Sequence, residues 1–309
     1  MESIKVFSPA SVANVSCGYD IFGFALESIG DEIILTKRKD SKLVITDVQG
    51  ADLPTSPDKN VATVAISSLL ERLHSAQGFD LQIRKNVNPG SGLGSSASSA
   101  AGAAFAANLL LGEPFSKSEL IVDAMAGEIV ASQSAHADNV SPAMLGGFTV
   151  VRSCEPEVDV FQIDYPEDLV VLIIFPQTQI KTAEAKRMLG DTIPLNKART
   201  QWGNVAGLAI GMMKQDWGLI QRSLVDVVAE PVRKTLIPHY EDVKEIAMKH
   251  GALGFNISGS GPSMFSFFRS EEAARAGIAE VREIYDRLSI ESFFHISRIN
   301  PKGTHIVES

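Results

Sequence analysis

Cysteine is scarce in this sequence, and positive charge is outweighed. Cys17 and Cys154 are the only two thiols, too few for a disulfide framework and suited to a reducing cytosol. Lysine and arginine total 28 against 37 aspartates and glutamates, for a formal charge of −9. With acids spread along the chain, the basic face that nucleic-acid binding needs is not expected. Long hydrophobic runs are also missing: the longest strongly apolar stretch, residues 169–175, is the size of a strand and far short of a bilayer span. Residues 1–10 hold charge and Pro9 but no apolar run, so no secretory leader is expected. The expectation is a cytoplasmic protein without nucleic-acid or membrane partners. Internal repeats are absent, and the one biased segment is an Ala/Ser-rich stretch after residue 94. What is present is a globular composition, 45% hydrophobic and 21% charged, over 309 residues. That length holds two ordinary domains, each with its own core.

Periodicity outlines the elements. Residues 4–7, 32–37 and 43–48 read as strands, 60–74 as a helix with apolar residues at helical spacing, and 81–83 as a strand. Residues 117–134 follow as a helix capped by Ser116 or Ser118, and 146–152 return as a strand. The acid-rich stretch 154–159, with one proline, is the expected junction between a domain at 1–155 and one at 156–309. Beyond it lie a buried strand at 169–175, helices at 197–214, 217–228 and 241–249, and a glycine-rich loop at 254–262. A strand at 264–268, a helix at 271–285 and a strand at 293–298 complete the chain. Strands and helices alternate without the cadence of a doubly wound sheet, so the expected class is α+β with two domains.

The densest signal is Asn88-Pro89-Gly90-Ser91-Gly92-Leu93-Gly94-Ser95-Ser96-Ala97-Ser98-Ser99. Glycines that take positive φ turn backbone N–H groups toward one point. A helix opening directly after them adds its free first-turn N–H groups and the positive end of its dipole. The combination is a cradle for a polyphosphate, with the serines expected at the cap. The plainer alternative is a flexible loop before a buried helix, and the abrupt switch from loop to helix weighs against it. A Walker loop would need Lys-Ser/Thr after the last glycine, where Ser95-Ser96 stand. A dinucleotide fingerprint would need different glycine spacing and an acid about twenty residues on. Neither fits.

Three other segments concentrate polar chemistry. Pro9 to Asp20 reads as a polar loop holding Asn14 and Asp20, or as a capped turn with Asp20 as a helix N-cap. Glu128 is followed by His136, Asp138 and Asn139 among small residues. Asn256-Ile257-Ser258-Gly259-Ser260-Gly261-Pro262 exposes backbone, or merely connects strands.

Taken in order, these segments resemble the homoserine kinases of the GHMP small-molecule kinase family. Pro89, followed by Gly92-Leu93-Gly94-Ser95-Ser96-Ala97, is similar to the family's phosphate motif. Pro9 to Asp20 resembles its first motif, with Tyr19 where phenylalanine is common and Ser16-Cys17 where Gly-Pro is common. His136-Ala137-Asp138-Asn139, with Pro142 three residues on, matches another. Lys181-Thr182-Ala183-Glu184-Ala185 and Ala229-Glu230-Pro231-Val232-Arg233 match two more. The resemblance implies an N-terminal domain of the ribosomal-protein-S5-domain-2-like kind and a ferredoxin-like C-terminal domain. It implies ATP on Pro89, Gly90, Ser91, Gly92, Leu93, Gly94, Ser95, Ser96, Ala97, Ser98 and Ser99, and Mg²⁺ on Glu128 and Ser96.

The substrate it implies is L-homoserine, held by Asn14, Asp20, His136, Asn139, Lys186, Arg233 and Gly259. Homoserine is a zwitterion, so its ammonium needs a carboxylate, which Asp20 supplies. Its carboxylate needs a cation, for which the Arg233 guanidinium is suited. Where the family carries an arginine after the Thr182 stretch, this chain has Lys186 with Arg187 beside it, and Lys186 keeps the register. Asp138 is the carboxylate placed to act as a general base, grouped with Thr182 as catalytic. Transfer could instead rest on positioning and charge alone. The implied activity is ATP-dependent phosphorylation of homoserine for threonine synthesis, in a possible homodimer. The alternatives are a kinase of another small alcohol, mevalonate-like or a sugar, and a non-catalytic nucleotide or amino-acid sensor.

Overall fold

The computed structural model describes residues 1–132, 137–178, 180, 185, 187–190 and 192–307. His136, Thr182 and Lys186 therefore lie outside the described residues. The chain begins with a long hairpin of β1 (Ser3–Val15) and β2 (Gly18–Lys37), paired from Ser3↔Thr36 to Val15↔Gly18. Ile4, Val6, Ile33 and Leu35 alternate inward, as a sheet with one buried face requires. The strands expected at 4–7 and 32–37 are the outer end of this hairpin. The 9–20 segment is its inner end, rather than a polar loop or a helix cap. Its small residues carry little strand propensity by themselves, and packing under a helix overrides that.

That helix is α2 (Ser95–Leu110), preceded in the chain by β3 (Leu43–Gln49), α1 (Val61–Arg72) and β4 (Phe79–Arg84). Alanines on every side of α2 leave most of it buried and let it lie close against β1 and β2. α3 (Ile121–Ser132) and α4 (Ala137–Leu145) continue the helical layer. β5 (Phe148–Ser153) pairs with the inner half of β2, and β6 (Asp159–Ile163) pairs with β5. Residues 154–158 form the turn of that β5–β6 hairpin, so the first sheet continues to Ile163. The helix expected from 117 starts at Ile121, after a turn in which Ser116 Oγ accepts the Glu119 N–H at 3.4 Å.

The second half builds an antiparallel sheet in the order β10-β7-β9-β8: β7 is Val170–Pro176, β8 Gly254–Ile257, β9 Met264–Phe268 and β10 Ser292–Ser297. One face carries α8 (Tyr240–Lys249), α9 (Glu271–Ala276) and α10 (Ile278–Arg287). The other, with α5 (Leu195–Lys214) and α6 (Trp217–Ser223), meets the first half. There Phe24 packs on Phe265 and Phe267 with ring centroids 5.8 and 5.3 Å apart. α6 stops at Ser223, short of the expected 228. The Asp226 carboxylate gathers the N–H groups of Val228, Ala229 and Glu230 and starts a new turn, α7 (Glu230–Arg233). The helix expected over 271–285 is two, broken at Gly277, and the 254–262 loop is strand β8 for its first four residues. A short β11 (His305–Ile306) returns to pair with β1.

Candidate active site

Where the two halves meet, one cavity of about 500 Å³ runs from the glycine loop to the turn of the β1–β2 hairpin. Gly90, Gly92 and Gly94 all have positive φ, at 76°, 83° and 62°. A Cβ on Gly94 would stand 2.1 Å from Ser11 Oγ, and one on Gly92 would stand 2.7 Å from the Ser258 carbonyl oxygen. Only glycine fits there. Gly94 itself is the N-cap of α2 and offers no side-chain acceptor, so the first-turn N–H groups stay directed at the cavity. This corrects the expectation that the serines cap the helix. Ser95 Oγ donates instead to the Val87 carbonyl at 2.7 Å, and Ser98 Oγ to the Ser8 carbonyl at 2.8 Å.

Below the cradle lies a buried cation. Lys85 Nζ donates to the Asp31 carboxylate, to the Ser95 carbonyl and to Ser99 Oγ, the last at 2.9 Å. Asp31 also accepts the N–H groups of Asn86 and Val87 at 3.0 and 3.1 Å. Burial disfavours the Lys85 charge, and Asp31 opposes that effect. This pair ties the end of β4, the start of α2 and the middle of β2 together. Both residues escaped the reading of motifs, yet the signal was there. Leu81, Ile83 and Lys85 share one parity, as do Asp31, Ile33 and Leu35, which puts both charges on the buried face of the sheet.

Glu128 reaches the same end from α3. Burial pushes its carboxyl up to about 7, against the opposing hydrogen bond from Ser96 and the charge of Lys85. A carboxylate and a hydroxyl already in contact beside a phosphate cradle are hard oxygen donors, and they fit Mg²⁺ shared with phosphate oxygens. Among the described residues no group of three or more His, Cys, Asp or Glu could hold a metal unaided. This suits an ion that arrives with its nucleotide.

At the other end, Asn14, Ser16 and Asp20 all take left-handed φ, between 52° and 56°, a cost met at functional sites when the surroundings fix it. Asn14 fixes this turn: its Oδ1 accepts the Asp20 N–H at 2.8 Å, and its Nδ2 donates to the Gly259 carbonyl at 3.1 Å. α4 brings Asp138 against the same turn. It approaches so closely that a Cβ on Gly23 would lie 1.9 Å from the Asp138 carbonyl oxygen. Burial, and next the Asp20 charge, push Asp138 up to about 7, although backbone N–H groups of Asp138, Asn14 and Asn139 favour its ionised form. Asn139 Oδ1 accepts from Ser11 Oγ at 2.9 Å. Arg233 is buried, and its described acceptors are neutral. They are the Gly259 carbonyl at 3.0 Å, the Ala185 carbonyl at 3.4 Å and the Tyr19 hydroxyl at 3.4 Å. The guanidinium stacks 5.0 Å from the Tyr19 ring.

The cavity thus brings together Asn14, Asp20, Pro89, Gly90, Gly92, Gly94, Ser95, Ser96, Ser99, Glu128, Asp138, Asn139, Arg233 and Gly259. Ser91, Leu93, Ala97 and Ser98 turn inward, Leu93 into the core between the halves. Arg187 is exposed. One end carries backbone N–H donors with a carboxylate and a hydroxyl, Glu128 and Ser96, in contact. The other carries the Asp20 carboxylate and the Arg233 guanidinium. The buried Asp138 carboxyl lines the same cavity, near enough to Asp20 to feel its charge.

Comparison with known proteins agrees on a single family. The GHMP kinases N terminal domain pattern matches residues 60–147, and the GHMP kinases C terminal pattern matches residues 208–287. The chain is 43% identical to a homoserine kinase from Chlorobium phaeobacteroides, covering 99% of this chain and 100% of the relative. It is 41% identical to one from Chlorobaculum tepidum, over 100% and 99%. The crystal structure of homoserine kinase from Cytophaga hutchinsonii superposes with a TM-score of 0.95 over 99% of this chain and 98% of that one, at 42% identity.

Proposed function

This chain belongs to the homoserine kinases of the GHMP kinase family, and from that premise we propose how the residues around its cavity divide the work. The enzyme transfers the γ-phosphoryl group of ATP to the hydroxyl of L-homoserine, giving ADP and O-phosphohomoserine for threonine synthesis. What supports the assignment of roles is one cavity with an anion cradle at one end and a carboxylate–guanidinium pair at the other.

The triphosphate rests on the glycine-loop N–H groups and the N-terminus of α2, with Lys85 fixing the loop from below. The ammonium of homoserine pairs with Asp20, and its carboxylate with the guanidinium of Arg233. Asn14, Asn139 and the Gly259 backbone frame the substrate, with His136 and Lys186 completing the set. Glu128 and Ser96 would hold Mg²⁺, which would supply charge neutralisation for the nucleotide phosphates. Asp138 accepts the hydroxyl proton, and Thr182 is grouped with it as catalytic by its motif alone. The substrate oxygen bonds to the γ-phosphorus while the bond from that phosphorus to the ADP oxygen breaks. Most of the acceleration comes from holding the two substrates in line in a closed, preorganised site. Among the described residues no helix is long and apolar enough to cross a membrane, and the cytoplasm supplies both substrates.

The test is ADP release from ATP and Mg²⁺ with L-homoserine, mevalonate or galactose, with the product identified by phosphorus NMR. Turnover with homoserine alone is expected. Turnover with mevalonate or galactose instead would reassign the substrate, and none with any of them would leave a sensor.

A further inference from the structure

We propose, resting on the assignment of Asp20 to the substrate's ammonium and Arg233 to its carboxylate, that Gln201 is a positioning residue that holds these two groups at the span of an α-amino acid. Homoserine carries both charges on one carbon, so Asp20 and Arg233 have to stand at a fixed separation to bind it. They come from different halves of the chain. Asp20 follows the two-residue turn Ser16-Cys17 between β1 and β2, whereas Arg233 ends α7. Neither element fixes its distance to the other by itself.

Gln201, on α5, bridges the two. Its Nε2 donates to the Cys17 carbonyl at 2.9 Å and to the Asp226 carboxylate at 2.9 Å, and its Oε1 accepts the Val227 N–H at 2.9 Å. Both amide donors and the carbonyl oxygen are therefore engaged. The first bond holds the turn that precedes Asp20, and the other two hold the stretch from which α7 starts. Gln201 is 7% exposed and lies among the apolar residues that α5 buries, Ala198, Leu208 and Met212. A buried amide costs free energy unless its bonds are made, and a methionine of similar length would fill the same space. What explains an amide here is what it joins.

Two further contacts run the same way. Asn256 Nδ2 donates to Glu230 Oε2 at 2.8 Å and to Ser16 Oγ at 3.4 Å. The Gly259 carbonyl accepts from Asn14 Nδ2 at 3.1 Å and from Arg233 Nη1 at 3.0 Å. Asn14, Ser16 and Cys17 are thus each tied to α7 or to the segment before it. Gln201 is not among the residues lining the cavity, so it acts on the substrate only through the groups it holds. Specificity is a difference of affinities, and a span held on both sides favours the substrate whose charges match it.

The test is steady-state turnover of ATP and Mg²⁺ with L-homoserine and with its homologue that has one methylene inserted between the ammonium-bearing carbon and the carboxylate. Gln201→Met should raise the Michaelis constant for homoserine about tenfold, with kcat and the constant for ATP within about threefold of native. The preference for homoserine over the longer homologue, as a ratio of kcat/KM, should fall about tenfold. An amide that only stabilised the fold would lower the melting temperature and leave that preference as it was, and this result overturns the proposal. So does a loss shared equally by homoserine and ATP. If the methionine variant does not fold, Gln201→Asn keeps an amide one methylene short of Cys17 and should lower the preference in the same sense. An unchanged preference in that variant overturns the proposal too. Arg233→Lys reads the underlying assignment separately and should raise the constant for homoserine about tenfold. A constant unchanged there would take Arg233 away from the substrate and the proposal with it. A raised constant beside an unaltered preference in the Gln201 variants overturns the proposal alone.

Discussion

Asp138 shows how far a single residue's environment sets its chemistry. Its carboxyl is pushed up to about 7 from an ordinary 3.8, by burial first and by Asp20 second. Between about pH 4 and pH 7 the folded protein therefore keeps a proton that the unfolded chain has released. The stability from this group is complete below that window and is lost as pH rises through it. Asp138→Asn should flatten the fall in melting temperature across these pH values, measured without ligands. Glu128, raised in the same sense, leaves part of the slope in place. An unchanged slope would mean that Asp138 is ionised throughout. As a base, Asp138 needs that proton off, so turnover of the native enzyme should climb with pH through the same range. In Asp138→Asn, a residual rate that climbs less steeply there is expected, the remaining climb belonging to Glu128, raised in the same sense. A rate still as high as the native one would show that transfer proceeds by positioning alone.

Short elements carry the substrate end, and Asp226 governs one of them. Its carboxylate accepts the N–H groups of Val228, Ala229 and Glu230 at 2.8, 3.0 and 2.8 Å, and the Gln201 side-chain amide at 2.9 Å. Those bonds begin α7, a single turn whose last residue is Arg233. A four-residue helix is marginal by itself, so the direction of the guanidinium depends on this anchor. Asp226→Ala should raise the Michaelis constant for homoserine at least tenfold, about 1.4 kcal/mol of binding, and leave the constant for ATP within about threefold. Equal losses for both substrates would mean that the variant had disturbed the whole cavity. Sequence reasoning found Arg233 by its motif but continued the preceding helix to 228. The capping signal at Asp226 lies inside what reads as helical periodicity.

At the scale of the molecule, the two halves share the site itself. Ser258 Oγ donates to the Gly92 carbonyl at 2.7 Å, the Ser263 N–H to the Ser91 carbonyl at 3.1 Å and the Gly259 N–H to the Ala13 carbonyl at 3.0 Å. Phe24 and Phe148 of the first sheet join Phe265 and Phe267 of the second in one apolar cluster. Each half has a core of its own, but this third cluster and the glycine loop are completed only where the halves meet. Thermal unfolding should then be one transition. Fluorescence of Trp202 and Trp217, both in the second half, should share a midpoint with far-ultraviolet circular dichroism, and ATP with Mg²⁺ should raise both together. Two separated midpoints would show that the halves unfold independently.

The sequence by itself determined the chemistry that depends on local order. A glycine run opening an alanine helix gathers backbone N–H donors at one point, because those donors are set by φ and by helix polarity. The residues of Pro9–Asp20, Glu128, Asp138–Asn139 and Ala229–Arg233 were legible in the same way, as motifs of one family. The tertiary structure decided what depends on partners far away in the chain. It turned the 9–20 segment into strand, since small residues have no β preference until α2 packs on them. It moved the cap from Ser95 to Gly94, because Ser95 Oγ finds the Val87 carbonyl. It made Lys85 and Asp31 a buried pair under the cradle, 54 residues apart in sequence. It also set Asp20 close enough to raise Asp138. Burial and the distance between charges are properties of packing, and no single segment contains them.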